Sequence, residues 1–426
     1  MDQTGRFPGW YVVGGAGFGI AFGSAVFLSS SFALLAAALG KQFGWSQSEL
    51  AKAASIFLLM QMLTSPLCGW ALDRWGSRKI AVLSIALFGI SLFILSRIGP
   101  SLTQFYLGFV VLGGASVGTN VISYARAITN WFNRRRGLAL GCAAAGQAVG
   151  AFTMPLVLQK VIATYGWSDA LVALAAFELV ICLPVVALLI KDSPRPYGLH
   201  PDGDVQGRQE AGTVTPAAPL RQAGASAREI LRSANFWKLA IAFLVIGMSF
   251  YALITNVAFI LTKSAGLTLG QVSTVLALSG VAVLVGRVGF GYLIDMIHAP
   301  YIAVLSLLLS VVFYALDATS TSFSILVIAA MIGGISIGGE SDLLPFLASR
   351  YFGKDAVSQV FGWFLVAFYI GAAIGPVAFA KLSEAYNGPS VPLFVLVGLQ
   401  IIPAIMFLSL GDYYSEPREL STQPAA

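Results

Sequence analysis

The chain has 426 residues, of which 57% are hydrophobic and 10% charged, with a mean hydropathy of +0.82. A soluble domain carries roughly 25% charged residues, so this composition excludes a soluble globular fold. The apolar stretches are continuous, which excludes a β-barrel with its alternating strands. The net charge of +6 is explained by Lys and Arg gathered in cytoplasmic loops, and nucleic-acid binding is not expected.

Twelve apolar runs are predicted to cross a hydrocarbon core of about 30 Å as helices. They lie at 10–38, 47–72, 79–97, 102–130, 136–158, 169–190, 237–262, 271–294, 301–317, 322–349, 356–380 and 390–411. Spans one and four are long enough to tilt or to project beyond the bilayer. "MDQTGRFPGW" opens the chain, and no small-residue cleavage site follows the first run, which reads as a retained span. Cys68, Cys142 and Cys182 all fall within spans, which argues against a disulfide framework. With the N-terminus inside, 18 of the 25 Lys and Arg residues fall on inner segments. Six are outer (Lys41, Lys52, Arg97, Lys160, Lys263 and Lys381), and Arg287 lies within a span. This asymmetry predicts that both termini are cytoplasmic.

Residues 191–236 form the longest non-apolar segment. Within it, 204–225 reads as a flexible linker, and "SAREILRSANFW" as a short amphipathic helix on the inner membrane surface. The predicted organisation is an N-terminal six-helix half at 1–190, a cytoplasmic linker at 191–236, a second six-helix half at 237–411 and a tail at 412–426. The two halves repeat. Gly69 and Asp73 recur as Gly291 and Asp295, and the capping box Ser46…Glu49 recurs as Thr268…Gln271, each 222 residues later. "WFN" at 131–133 and "YFG" at 351–353 end spans four and ten, and Gly150…Pro155 matches Gly371…Pro376. Parallel repeats joined by a linker describe a secondary transporter whose site lies near the midplane between the halves.

"GWALDRWGSRK" at 69–79 resembles the signature loop between spans two and three of the major facilitator superfamily, with Gly69, Asp73, Arg74, Gly76, Arg78 and Lys79 filling the pattern. "NWFNRRRGLALGCAAAGQAVG" at 130–150 is similar to the span-five motif of monocarboxylate transporters and oxalate/formate antiporters. "PGWYVV", "PRPYGLHPDG" and "GGESDLLPFLASRYFG" resemble bacterial members of that branch. The resemblance implies an all-α membrane protein of twelve transmembrane helices in two pseudo-symmetric halves, sited in a bacterial inner membrane.

Asp73, at the inner end of span two, suits charge-assisted hydrogen bonds from arginines or a helix N-terminus. Small residues such as Gly69 let helices approach closely. Gly69, Asp73, Arg74, Gly76, Arg78, Gly291 and Asp295 therefore form a candidate gate. Arg287 stands eight residues, or about 12 Å, above Asp295, near the midplane. An arginine there costs a few kcal/mol unless solvated or paired, and its donor fork matches a carboxylate. The matching arginine of animal monocarboxylate transporters has an aspartate four residues earlier. Here that residue is Val283, which favours a substrate carboxylate as the partner and leaves the source of proton coupling open; a structural salt bridge to span ten is the competing reading. Glu340 and Asp342 on span ten are the candidate proton carriers, on nearly opposite faces of one helix. Glu178, mid-span in span six, falls in an outer support helix by the resemblance and is expected to pair at a helix interface. Ser116, Asn120 and Tyr124 recur every four residues as a predicted polar stripe. Tyr251, Asn256 and Tyr369 lie at suitable depth for small organic acids. Arg134, Arg135 and Arg136 orient the chain.

The expected function is secondary active transport of a small monocarboxylate or related organic anion, most simply by proton symport, in a chain that works as a monomer without cofactor or metal. The alternative is an organic-anion exchanger or an exporter of drug-like compounds. The exporter Gly-Pro pairing is missing from span five but present as Gly375-Pro376 in span eleven. An embedded enzyme is not expected, since the only histidines, His200 and His298, lie in loops. The short tail argues against a sensor.

Overall fold

The computed structural model describes residues 7–203, 227–261, 265–353, 357–411 and 413. The linker at 204–225 and the tail, apart from Tyr413, lie outside the described residues. Among the described residues all regular structure is helical. Eleven helices are long and apolar enough to cross a membrane, and Leu102–Ala115 is a shorter apolar one.

Span one is assembled from Gly9–Phe22, Ser24–Val26, a π-helical turn at Phe27–Ser31, and Phe32–Phe43. Gln47–Trp75 and Ser77–Leu95 are spans two and three. Span four is Leu102–Ala115, a 3-10 turn at Val117–Thr119, and Val121–Trp131. Span five is Arg136–Ala144 with Gly146–Tyr165, and span six is Trp167–Phe177, a π turn at Glu178–Cys182, and Leu183–Leu189. The second half is more regular. It comprises Ala234–Phe259, Leu269–Met296, Ala299–Thr319, Phe323–Tyr351, Val357–Ala385, and a span twelve made of Ser390–Leu399 and Ile401–Leu408.

Both capping boxes form. Ser46 Oγ accepts the Glu49 N–H at 3.3 Å while the Glu49 carboxylate accepts the Ser46 N–H at 2.8 Å. Thr268 and Gln271 do the same at 3.4 and 3.0 Å. Each box satisfies N–H groups at the start of a helix that the helix itself leaves without partners. At the other end of span two, Gly76 at φ +91° makes the turn into span three, a conformation an L side chain rarely adopts.

The unbroken run predicted for span four is corrected: Asn120 is extended at φ −91°, ψ 176°. In lipid the groups freed by a break must find partners within the protein. Spans one and four supply them to each other. The Ser24 N–H donates to Thr119 Oγ1 at 3.0 Å, and the Ala25 N–H to Asn120 Oδ1 at 3.2 Å. The break at Gly23 in one span thus answers the break at 117–120 in the other.

Small residues bring the helices together. A Cβ at Gly150 would collide with the Ala21 carbonyl of span one, and a Cβ at the repeat-related Gly371 with the Leu244 carbonyl of span seven. The apolar side chains of Leu63, Phe152, Val180 and Leu188 face outward, as a lipid-facing surface requires.

The segment after span six, including "PRPYGLHPDG", braces the loops beneath the first half. Asp192 accepts the Arg78 N–H at 3.1 Å, and Asp202 accepts the N–H groups of Asn133 and Arg134 at 3.0 and 2.8 Å. The short helix expected before span seven is Ala227–Arg232. The Trp237 indole donates to the Leu231 carbonyl at 2.8 Å.

The packing predicts that Gly150→Val separates spans one and five and destabilises the protein by about 1–3 kcal/mol. A lowered Tm of the purified protein in detergent checks this.

Candidate functional site

The two halves meet at the end that carries the arginine-rich loops, and the meeting is reciprocal. Asp73 closes span two. Its Oδ2 accepts the Gln359 N–H at 2.9 Å, in the first turn of span eleven. Its Oδ1 lies 3.4 Å from Arg126 Nε, and Arg126 also donates to the Leu72 carbonyl. Asp295 closes span eight. Its two oxygens accept the Gly137 and Leu138 N–H groups at 2.6 and 2.9 Å, in the first turn of span five. Each carboxylate therefore caps a helix of the other half, where the N–H groups lack intrahelical partners and the dipole is positive. Arg136 adds a bond to Ser349 Oγ at 3.0 Å, and Arg350 one to the Asn133 carbonyl at 3.2 Å.

Glycines make these caps possible. A Cβ at Gly69 would strike the Ser358 carbonyl, and one at Gly362 the Ser65 carbonyl. Gly137 and Gly291 face each other, and Gly141 lies on the carbonyl of Arg287. Of the other gate residues, Gly76 turns over Asp192, Arg78 is held to Asp192 through its N–H, and Arg74 stacks on Trp70 at 5.5 Å.

Arg287 lies deeper in the same seam and is buried. Its Nη1 donates to the Ala144 carbonyl at 2.8 Å and its Nη2 to Gln147 Oε1 at 2.9 Å. These two acceptors belong to span five and are neutral. The break in that span explains the first: the Ala148 N–H bonds to Ala145 at 3.0 Å, leaving the Ala144 carbonyl to receive the guanidinium. These two bonds tie span eight to span five of the opposite half.

Across the midplane a polar node is built on Gln61, which is buried. Its amide donates to Ser24 Oγ at 2.9 Å and Ser116 Oγ at 3.3 Å. Its Oε1 accepts from Asn120 at 3.1 Å and from the Tyr369 hydroxyl at 3.3 Å. Tyr369 comes from span eleven, so the node also crosses between halves. Tyr251 stands beside it, its ring 6.1 Å from that of Phe368.

Several expected residues go elsewhere. Tyr124 is fully buried against Gly19, with Glu178 and Cys182 nearby. The 3-10 turn at 117–119 changes the helical register, so the four-residue spacing does not carry Tyr124 onto the face of Ser116 and Asn120. Glu178 lies in the π turn of span six against Gly89 of span three, at a helix interface. Asn256 donates to the Ala252 carbonyl of its own helix at 2.8 Å. Glu340 turns toward span nine, where its Oε1 accepts from Ser310 and Ser336 at 3.0 and 3.2 Å. The side chain of Asp342 lies outside the described residues. Ser24, Gln61 and Gln147 were missed from sequence, although mid-span glutamines at 61 and 147 were a usable signal.

Asp73→Asn and Asp295→Asn should each remove about 1.5–3 kcal/mol from the closed seam. Spin labels at the exposed Trp75 and Met296, which end spans two and eight, should then report a longer distance for a larger fraction of molecules. An unchanged distance distribution would contradict the latch.

The sequence profile of the Major Facilitator Superfamily matches residues 16–376, and again 264–424. The chain is 24% identical to mouse monocarboxylate transporter 4 over 433 residues, covering 96% of this chain and 88% of the relative. It is 24% identical to rat monocarboxylate transporter 12 over 384 residues, covering 87% and 78%. The fold is similar to that of the human organic anion transporter MFSD10, with a TM-score of 0.69 at 15% identity, covering 94% of this chain and 100% of that one. It is also similar to the transporter FucP in its outward conformation, with a TM-score of 0.66 at 14% identity and coverage of 93% and 98%. With the profile spanning most of its length and the reciprocal latch in place, the chain belongs to the Major Facilitator Superfamily.

Proposed function

We propose that the protein is a secondary active transporter that moves a small monocarboxylate together with protons by alternating access. One observation carries the reading: Arg287 lies buried in the seam between the halves, and two of its guanidinium nitrogens reach across to oxygens of span five. An incoming carboxylate offers two charged acceptors in the geometry of the guanidinium fork, and charge-assisted bonds are about twice as strong as neutral ones. Taking Arg287 from Ala144 and Gln147 loosens spans five and eight just above the Asp295 cap. Substrate binding and opening of the seam thus share one side chain. The similarity to monocarboxylate transporters supports this substrate class.

We take residues 1–190 and 237–411 as the moving halves, 191–236 as the linker and 412–426 as the tail. The excess of Lys and Arg supports a cytoplasmic basic end and cytoplasmic termini. On that assignment the closed end is cytoplasmic, and the conformation faces outward. The bacterial-type motifs at 194–203 and 338–353 favour a bacterial inner membrane. Gln61, Asn120, Ser116, Tyr369 and Tyr251 line the substrate path, and Glu340 takes the proton. The chain acts as a monomer, as a transporter and not an enzyme.

Proteoliposomes given labelled lactate, with and without an imposed pH gradient, test this. Uptake driven by an acid exterior is the expected result. Flux indifferent to the gradient would favour organic-anion exchange or export instead. Arg287→Lys keeps the charge but loses the fork, and should raise KM for lactate by about ten- to a hundredfold. Wild-type kinetics in that variant would remove Arg287 as the anion anchor.

A further inference from the structure

The motif "PRPYGLHPDG" follows span six and belongs to neither the anion site nor the two caps. The chain from Lys191 to Gly203 forms a strap tied at both ends. At its near end the Trp131 indole donates to the Lys191 carbonyl at 2.8 Å, and the Asn130 amide donates to the Asp192 carbonyl at 2.9 Å. The Lys191 ammonium lies 4.3 Å from the centre of the Tyr197 ring, which in turn lies 6.1 Å from the Trp131 ring. At its far end Asp202 turns back to the loop between spans four and five.

That turn is left-handed. Asp202 has φ +63° and Gly203 φ +80°, a region that aspartate tolerates better than most side chains. The Phe7 ring covers Gly203, where a Cβ would strike it, and packs edge-on to Phe132 at 5.4 Å. Such a conformation persists where its surroundings hold it. Here it aims one carboxylate at a run of amides. Asp202 Oδ2 accepts the N–H groups of Asn133 and Arg134 at 3.0 and 2.8 Å, and the Arg135 nitrogen lies 3.5 Å from Oδ1. Successive backbone N–H groups make a concavity that favours an anion.

The run continues into the seam between the halves. The Gly137 and Leu138 N–H groups go to Asp295 of the other half. The Asn133 carbonyl accepts from Arg350, and Asn133 Oδ1 accepts from Arg136, whose Nη1 reaches Ser349. Residues 133–138 are therefore gripped by one carboxylate from the linker side and by another from the opposite half. Arg134 and Gly137 are separated by at most about 11 Å of chain, so movement of the loop carries into the cap.

We infer that Asp202 is a positioning residue for the gate. It holds residues 133–135 so that the Gly137 and Leu138 N–H groups meet Asp295, and it biases the carrier toward the conformation closed at the basic end. Asp73 and Asp295 must leave their partners when the seam opens. Asp202 grips a loop of its own half, so its bonds can last through the cycle. The start of the linker thus sets the balance between the two conformations. The inference rests on the alternating-access reading and does not depend on which anion is carried.

Distances between spin labels test it in purified protein. The Trp75 and Met296 pair reads the basic end, and the exposed Tyr165 and Tyr386, at the far ends of spans five and eleven, read the other. Asp202→Gly keeps the left-handed turn and removes the carboxylate. It should lower the ratio of closed to open molecules at the basic end about tenfold, with a shorter distance at the other end. Asp202→Asn keeps one oxygen acceptor and should lower the ratio about threefold. In an Asp295→Ala background, Asp202→Gly should change the ratio by less than about twofold, because it acts through that cap. A full tenfold effect in that background overturns the inference. So does a ratio within about twofold of wild type in Asp202→Gly while Asp73→Asn and Asp295→Asn open the seam, a result that leaves the latch standing. A lowered Tm with both distances broadened and no exchange between two states marks a fold-holding role and also overturns it. No opening in any of these variants overturns the latch and the inference together. Absence of lactate uptake by the wild type, with the distance changes as expected, overturns the substrate reading and supports the inference.

Discussion

Two carboxylates, each set into the first turn of a helix from the other half, hold this conformation together. Asp73 caps span eleven and Asp295 caps span five. A hydrogen bond to a charged group contributes about 1.5–3 kcal/mol. A few such bonds are enough to favour one closed end, and weak enough that a bound substrate can shift the balance. The caps require backbones to approach within the reach of one short side chain. That is why Gly69 and Gly362 meet carbonyls, and why Gly137 faces Gly291. Glycine and aspartate in the signature loop answer a single geometric demand.

The demand propagates upward. The same span-five and span-eight backbones that meet at Gly137 and Gly291 bring Arg287 against Ala144 and Gln147. Span five is broken at that level, and the break makes a carbonyl available. In spans one and four, paired breaks satisfy each other through Thr119 and Asn120 and assemble the node around Gln61. Irregular backbone is tolerated at membrane depth where the protein itself supplies partners. In this chain the irregular points lie where the polar side chains gather.

Much of the architecture was legible because it rests on local rules. A span must be apolar for about 20 residues, so the twelve runs stand out. A capping box needs two residue types at a spacing of three, so Ser46 and Thr268 announce the starts of spans two and eight. A latch needs glycine and aspartate four apart, so the 222-residue repeat marks Asp73 and Asp295. The candidate site was legible in part. Arg287, Asn120, Ser116 and Tyr369 take part in the cross-seam and midplane bonding, while Tyr124 and Asn256 face other neighbours.

Sequence alone determined the number of spans, the repeat, the position of the gate and the depth of Arg287, because hydropathy, capping and helical rise depend on residues close together in the chain. Only the tertiary structure decided which side chains meet. A 3-10 turn at 117–119 separated Tyr124 from Asn120, and a break at 145 gave Arg287 a carbonyl on a helix about 140 residues away by the hydrogen-bond separation. Small departures from ideal helix geometry rotate every residue beyond them. Partners at the midplane are therefore set by how broken helices pack, which no periodicity along one helix contains.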